Sequence, residues 1–227
     1  MKAMILSAGR GERMRPLTDR LPKPLIPLLG RPLIEYHLRD LAEAGLTEVV
    51  INLGYRGEQI RQQLGDGRRF GLRIQYSEEG DPPLETGGGV LRALPLLGDA
   101  PFLVINADVY VELAWGRFIA RGRQLPADLE AWLLMVPTPA FKTQGDFALQ
   151  EQRIVEPAAP THTFAGVSIL RPSLLRGCSE GRFPLAPVLR ASARRGAVGG
   201  ELFQGLWSDV GTPQRLDELQ ARLKKPY

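Results

Sequence analysis

Residues 6–27 read LSAGRGERMRPLTDRLPKPLIP, and they follow an apolar run that begins at Met4. Gly9 and Gly11 allow backbone N–H groups to approach an anion closely. Guanidinium groups bind phosphate in bidentate fashion, and an ammonium acts as a point charge. The stretch holds five cations against two acids, and the cations are Arg10, Arg13, Arg15, Arg20 and Lys23. A strand that ends in such a loop predicts a phosphate site at the carboxyl edge of an open α/β sheet.

Two common phosphate-binding loops do not fit this stretch. It lacks the GxxxxGK followed by Ser or Thr that marks P-loop proteins. It also lacks the third glycine of the dinucleotide fingerprint, and its prolines prevent a helix from starting directly behind the glycines. Pro22 and Pro24 flank Lys23, and their restricted backbones indicate a fixed direction for the ammonium.

Composition limits the classes of function. The chain has 227 residues, of which 44% are hydrophobic and 24% are charged, as in an ordinary soluble domain. The net charge of +4 suits small anionic ligands, whereas aromatic content of 7% and Lys/Arg runs no longer than two argue against nucleic acid. With no apolar run near 18 residues and no signal-peptide pattern, we expect no membrane association and a cytoplasmic location.

The hydrophobic pattern alternates between strands and helices in the first half. We predict strands at 2–7, 48–52, 72–76 and 102–106, and helices at 33–44, around Ile60 and Leu64, and at 88–97. Such alternation predicts a Rossmann-like α/β fold: a mostly parallel sheet with helices on both faces. For the second half we predict strands at 131–136, 147–149 and 164–170, and helices at 183–193 and 212–223. We expect a single domain, 1–227.

The opening motif resembles that of a known family. The pattern GxGxRMxPxT at residues 9–18, followed by Lys23-Pro24, is similar to the sugar nucleotidyltransferases, which join an NTP to a sugar 1-phosphate and release pyrophosphate. The resemblance extends over essentially the whole chain and implies a glycosyltransferase-A-like fold with a nucleotide half (1–111) and a sugar half (112–227). It implies catalytic roles for Arg13 and Lys23. The nucleotide contacts that it implies in this stretch are Ala8, Gly9, Gly11, Glu12, Arg13 and Lys23.

A second motif, LETGGG at 84–89, carries information on the substrates. Family members usually have glycine where this chain has Glu85, and the departure is similar to the uridylyltransferases that act on N-acetylmuramate 1-phosphate in cell-wall recycling. The resemblance implies that Thr86 and Gly87 contact the nucleotide and that Glu85 contacts the sugar. It also implies that either Glu78 or Glu79 contacts the edge of the pyrimidine base, and we assign this role to Glu79.

Two aspartates are candidates for binding Mg²⁺. Asp108 follows an apolar strand, where the crevice of an open sheet lies, although it also fits the N-cap of a following helix. WSDVGT at 207–212 matches the family motif WxDxGT. The resemblance implies that Asp108 and Asp209 hold Mg²⁺ together.

The remaining motifs point to a sugar pocket. The residues that we assign to it are Glu85, Asn106, Asp146, Glu156 and Gly166. Asp146 equally fits a β-turn after Gly145. A lactyl carboxylate on the sugar would face a cation of the second half, for which we name Lys142 or Arg153. His37 has no metal-ligand spacing, and we expect it on a solvated helix face.

These observations predict a Mg²⁺-dependent transfer from UTP to a sugar 1-phosphate by a monomeric enzyme. The alternatives are a mannose-1-phosphate guanylyltransferase, a glucose-1-phosphate thymidylyltransferase and an inactive nucleotide-sugar sensor. Arg13, Lys23, Asp108 and Asp209 are all present, which argues against the sensor.

Overall fold

A computed structural model describes residues 1–155 and 161–224 of the chain. In these residues the helices are α1 (Leu33–Glu43), α2 (Gly57–Leu64), α3 (Glu85–Leu97), α4 (Trp115–Arg123), α5 (Leu185–Arg194) and α6 (Pro213–Lys224). The strands are β1 (Ala3–Leu6), β2 (Pro27–Leu28), β3 (Arg31–Pro32), β4 (Glu48–Leu53), β5 (Arg73–Glu78), β6 (Phe102–Asn106), β7 (Val109–Val111), β8 (Ala131–Pro137), β9 (Ala148–Gln150), β10 (Arg153–Val155), β11 (His162–Leu170), β12 (Val198–Leu202) and β13 (Trp207–Asp209). None of the described helices is long and apolar enough to cross a bilayer.

One large sheet organises the described residues. Its strand order is β5-β4-β1-β6-β11-β8-β12-β10-β9. The strands β5, β4, β1 and β6 are parallel, and β11 runs antiparallel to both β6 and β8. β12 pairs with β8 in parallel. The predicted α/β class with a mostly parallel sheet is therefore confirmed.

The two faces of the sheet are covered by different helices. Successive strand side chains point to opposite faces, so Ala3 and Ile5 pack in one apolar cluster and Met4 in another. The first cluster contains residues of α1, α2 and α4, and the second contains residues of α3 and α5. Helices on both faces leave the carboxyl ends of the parallel strands free to form a crevice.

A third apolar cluster joins the long N-terminal loop to the end of the chain. Met14 and Ile26 pack with Val210, and with Leu216 and Leu219 of α6. Nearby, β13 pairs antiparallel with β7 in a small separate sheet. The packing brings the WSDVGT segment beside the carboxyl end of β6.

His37 does not lie on a solvated helix face as predicted. Its side chain is buried against Trp115, with ring centroids 6.3 Å apart in an edge-on arrangement. Neither ring nitrogen has a hydrogen-bond partner among the described residues. Burial lowers the pKa of His37 to about 4, because a charged imidazolium loses its hydration there.

Candidate active site

A cleft of about 790 Å³ opens at the carboxyl ends of β1 and β6. The loop that follows β1 forms one wall, and the segment between β5 and α3 contributes another. The residues of our sequence assignment that line the cleft are Ala8, Gly9, Gly11, Glu12, Arg13, Lys23, Glu79, Glu85, Thr86, Asn106 and Asp108. The fold thus collects residues from five separate stretches in one crevice.

Gly11 allows the loop to turn back tightly over Lys23. Its φ of 64° is in the left-handed region, and a Cβ there would lie 3.0 Å from Thr18 Cγ2 and 3.1 Å from Lys23 Cβ. Thr18 Oγ1 donates to the Gly11 carbonyl at 3.0 Å. The Arg13 side chain stays exposed at the cleft rim, where it can reach a polyanion.

Lys23 lies in the floor of the cleft with only 8% of its surface exposed. Its ammonium pairs with a carboxylate oxygen of Asp108. A buried ammonium is expensive unless it is paired, so Asp108 holds the Lys23 charge in place. Asp108 is followed directly by β7 and not by a helix, so the alternative assignment of Asp108 as a helix N-cap is wrong.

The second aspartate of the predicted metal pair is brought close to the first by backbone pairing. Asp209 pairs with Val109 in the β7–β13 ladder, and the Val210 amide donates to the Asp108 carbonyl at 2.9 Å. Arg215 Nη1 donates to Asp209 Oδ2 at 2.8 Å. Gly211 lines the cleft beside this pair, and a Cβ on it would lie only 2.8 Å from Asp209 Oδ1.

The two aspartates of the predicted Mg²⁺ site differ in their access to the cleft, since Asp108 lines it and Asp209 does not. Among residues 1–155 and 161–224, no group of three or more His, Cys, Asp and Glu side chains could hold a metal. Magnesium, however, commonly uses one or two protein carboxylates and takes its other ligands from phosphate and water. Asp108 and Asp209 are already paired with Lys23 and Arg215 respectively, and their binding of Mg²⁺ stays a prediction.

A buried hydrogen-bond network fixes the far wall of the cleft. Glu79 accepts from Asn52 Nδ2 at 2.6 Å and from the Leu84 amide at 2.8 Å. The Ser7 amide donates to Asn52 Oδ1 at 2.7 Å, which ties the network to the end of β1. Glu78, by contrast, is exposed and pairs with Arg61 outside the cleft. Of the two glutamates, Glu79 is therefore the one that lines the cleft.

The glycines of the LETGGG segment serve close packing. The amides of Gly87 and Gly88 both donate to the Phe183 carbonyl, at 2.9 and 3.1 Å. A Cβ on Gly87 would lie 2.4 Å from Phe183 Cε2, and one on Gly88 would lie 2.1 Å from the Gly181 carbonyl oxygen. Gly87 is thus packed against Phe183 and is not among the residues that line the cleft, and its assignment as a nucleotide contact stays a prediction. Thr86 does line the cleft.

A second cavity of about 180 Å³ adjoins the cleft and shares Leu6, Thr86 and Asn106 with it. Asp146 and Gly166, both assigned to the sugar pocket, line this cavity. Asp146 accepts from Lys142 Nζ at 2.9 Å and from the Phe164 amide at 2.9 Å. Glu156, also assigned to the sugar, lies outside the described residues.

The sequence analysis did not identify several cations and polar groups at the site. Arg182 lines the cleft and pairs with Glu85 at 2.9 Å, and Arg190 lines the second cavity. Asn52 and Arg215 hold Glu79 and Asp209. The contacts of Asn52 with Glu79 and of Arg182 with Glu85 join segments that are distant in the sequence, so no local spacing reveals them. Only the approach of Arg215 to the WSDVGT motif, six residues after Asp209, offered a sequence signal.

Comparison with known proteins identifies the family. Residues 2–157 match the sequence pattern of the family described as nucleotidyl transferase. The chain belongs to the nucleotidyl transferase family. The match covers the cleft loop, the LETGGG segment, Asp108 and Asp146, whereas Asp209 and Arg190 lie beyond it.

Individual nucleotidyl transferases cover almost all of the chain. The N-acetylmuramate alpha-1-phosphate uridylyltransferase of Neisseria meningitidis serogroup B is 48% identical, over 97% of this chain and 97% of the relative. The protein of the same description from Caulobacter vibrioides is 35% identical, over 97% and 96%. A Bacillus anthracis protein solved in complex with sucrose superposes with a TM-score of 0.88 at 20% identity, over 100% of this chain and 96% of that one. This last likeness concerns the fold.

Proposed function

We propose that this chain transfers a uridylyl group from UTP to N-acetylmuramate α-1-phosphate, giving the UDP-sugar and pyrophosphate in cell-wall recycling. One observation carries the reaction class: the buried Lys23 ammonium paired with Asp108 in the floor of a cleft that the glycine-rich basic loop closes. The choice of substrates is supported by the 48% identity to a relative of that description.

The reaction would need positioning and charge neutralisation and no general base. A sugar phosphate has its second pKa near 6, so it is mostly dianionic at neutral pH and can attack the α-phosphorus directly. Arg13 and the loop amides would hold the β- and γ-phosphates of UTP. Lys23 would place its charge against the phosphoryl group as negative charge develops there.

Asp108 and Asp209 would hold Mg²⁺, which when bound supplies further positive charge at the transferred phosphate. In the structure the same carboxylates orient the cations Lys23 and Arg215. Asp108 would therefore have two roles. It pairs with Lys23 and fixes the position of its ammonium, and it would act as a ligand of Mg²⁺ at the phosphate end of the cleft.

The position of Glu79 favours a nucleotide whose base can donate a hydrogen bond from a ring nitrogen. A carboxylate only accepts hydrogen bonds, and the N3–H of uracil can donate to it. Adenine and cytosine present a ring-nitrogen acceptor at the equivalent edge. The sugar would occupy the opposite side, with Glu85, Asn106, Asp146, Gly166 and Glu156 as its contacts. This division puts the nucleotide in residues 1–111 and the sugar mainly in 112–227 of a single domain.

A supply of UTP is consistent with a cytoplasmic enzyme, and a cleft lined by residues of one chain is consistent with a monomer. The test of the proposed function is pyrophosphate release over a grid of four NTPs and several sugar 1-phosphates. We expect the highest kcat/KM for UTP with N-acetylmuramate α-1-phosphate. A tenfold advantage for GTP with mannose 1-phosphate, about 1.4 kcal/mol of transition-state discrimination, would show the guanylyltransferase to be correct. Tight UTP binding without turnover of any acceptor would identify a sensor.

A further inference from the structure

Phe141 is a large apolar side chain that the fold leaves in solvent. It lies between β8 and β9, and 54% of its surface is exposed. Its ring nevertheless has a specific partner, because the guanidinium carbon of Arg215 lies 4.2 Å from the ring centroid. A cation within about 6 Å of an aromatic face is attracted by the ring, so this contact orients both groups. The exposed position of Phe141 is therefore explained by Arg215 and not by burial in a core.

Arg215 is the residue that holds Asp209, and its own position is closely defined. Its side chain is only 13% exposed, Nη1 donates to Asp209 Oδ2 at 2.8 Å, and Nε donates to Thr212 Oγ1 at 3.4 Å. Gly211 leaves room for the guanidinium, since a Cβ there would lie 2.5 Å from Arg215 Nη2. A guanidinium that stacks on a ring keeps the N–H groups in its plane available for a carboxylate. The contacts with Phe141 and Asp209 are therefore compatible, and each supports the other.

The loop that carries Phe141 is anchored on both sides of the ring. The amide of Lys142 donates to the Pro139 carbonyl at 2.9 Å, which closes a turn around Phe141. Further along the loop, Lys142 Nζ donates to Asp146 Oδ2 at 2.9 Å, and the Phe164 amide donates to the same carboxylate at 2.9 Å. These contacts fix the turn without any burial of the ring. The loop can therefore present Phe141 to Arg215 in a defined position.

We propose that Phe141 is a positioning residue for the transfer reaction, which keeps Arg215 on Asp209 and so holds this carboxylate at the acidic end of the cleft. The proposal rests on the proposed function, since it names a residue that positions a group of that same site. Arg215 binds Asp209 Oδ2, whereas Oδ1 lies beside Gly211, which lines the cleft. Loss of the stacked ring would release Arg215 and let the carboxylate turn. The transfer step should then suffer more than the binding of UTP.

The experiment replaces Phe141 in three ways. Phe141→Tyr keeps the aromatic face, Phe141→Leu keeps an apolar side chain without that face, and Phe141→Ala removes both. With UTP and N-acetylmuramate 1-phosphate, we expect kcat to fall about fivefold for the Leu and Ala variants and to stay near the wild-type value for Tyr, with KM for UTP within about twofold throughout. Leu202→Ala is the matched control, because it removes an exposed apolar side chain of β12 that lines neither cavity. It should leave kcat unchanged.

Two further measurements test whether the effect passes through Arg215. In NMR spectra of the ligand-free protein, the ring current of Phe141 should shift the Arg215 Nε–H resonance. The resonance should move in the Leu and Ala variants and keep its position in the Tyr variant. The double variant Phe141→Ala/Arg215→Lys should be no slower than Arg215→Lys alone, because two changes to one contact are not additive.

Three outcomes would overturn the proposal while wild-type turnover upholds the proposed function. They are a wild-type kcat for Phe141→Leu, an Arg215 resonance that ignores the loss of the ring, and additive losses in the double variant. The Leu and Tyr variants should have similar melting temperatures, so a difference in kcat between them reports positioning and not folding. If the wild-type enzyme turns over no pair of NTP and sugar 1-phosphate, the proposed function fails and this proposal fails with it.

Discussion

The backbone amide of Val210 donates a hydrogen bond to the carbonyl oxygen of Asp108, with an N–O distance of 2.9 Å. It continues the ladder in which Asp209 pairs with Val109. The approach of the two aspartates is therefore fixed by main-chain contacts and does not depend on their carboxylates. Isosteric replacement of either side chain should leave this main-chain pairing intact, although Asp108→Asn also removes the partner of the buried Lys23 ammonium.

The first prediction concerns the acidic pair. Asp108→Asn or Asp209→Asn should lower kcat by about 10² or more, because each removes one strong electrostatic element next to the transferred phosphate. EDTA should abolish activity, and added Mg²⁺ should restore it. Steady-state pyrophosphate release measures both effects. Asp217→Asn, on the exposed side of α6, is the control. Full turnover by either site variant at saturating Mg²⁺ would remove that residue from the metal site.

The second prediction concerns Lys23. Lys23→Met should reduce kcat far more than it weakens UTP binding, because the charge on the transferred phosphoryl group grows in the transition state. It also leaves Asp108 without its cation, so some loss of stability is expected. Single-turnover rates and UTP titration separate the two quantities. The control is Lys224→Met at the exposed end of α6. A loss limited to UTP affinity would make Lys23 a binding residue only.

The third prediction compares two adjacent glutamates. Glu79→Gln places an amide NH₂ against one of two existing donors, Asn52 Nδ2 or the Leu84 amide, so the free energy of unfolding should fall by about 1–3 kcal/mol. UTP affinity should fall with it. Glu78→Gln changes an exposed residue and should alter stability by about 0.5 kcal/mol or less. Urea unfolding and UTP titration of both variants provide the measurement. Equal behaviour of the two variants would contradict the assigned role of Glu79.

The fourth prediction concerns acid stability. Because burial lowers the pKa of His37 to about 4, the folded protein keeps this imidazole neutral while the unfolded chain protonates it near pH 6.5. The unfolded state therefore binds more protons between these values, and stability is lost as pH falls from about 6.5 to 4. The full contribution is about 3 kcal/mol.

His37→Leu isolates this contribution. Asp40, whose pKa burial raises to about 6, acts in the opposite direction, but it is present in both proteins and cancels in their difference. The unfolding free energy of the wild type minus that of the variant should decrease steadily as the pH is lowered through this window. A constant difference from pH 7 to pH 4 would show that His37 is not the responsible group.

The sequence was sufficient to predict the elements whose hydrophobic pattern is local. Strands β1, β4, β5 and β6 were predicted within two residues at each end, because their apolar runs are short and bounded by turns. α3 was predicted to begin at residue 88, whereas it begins at Glu85 and contains the glycines. Glycines lower helix propensity, and their place here is explained by close contacts of Gly87 and Gly88 with the 181–183 segment and of Gly89 with Glu79.

Elements and residues that depend on distant contacts were not found. Strand β12 was not predicted because Gly199 and Gly200 are not typical strand residues. Glycine is needed at position 199, since a Cβ there would lie 2.5 Å from the Trp132 ring. His37 was assigned to solvent because its helix pattern does not reveal Trp115 above it. Arg190 was not identified for the same reason, because only the fold brings it close to Phe147.

The apolar cluster that joins Met14 and Ile26 to Leu216 and Leu219 has a consequence for biosynthesis. The loop that follows β1 is synthesised long before α6, and the side chains that cover the loop are available only once α6 has emerged. Until then the loop lacks its native packing and Asp209 has not reached β7. We expect a nascent chain to form most of its sheet before the loop reaches its native packing against α6.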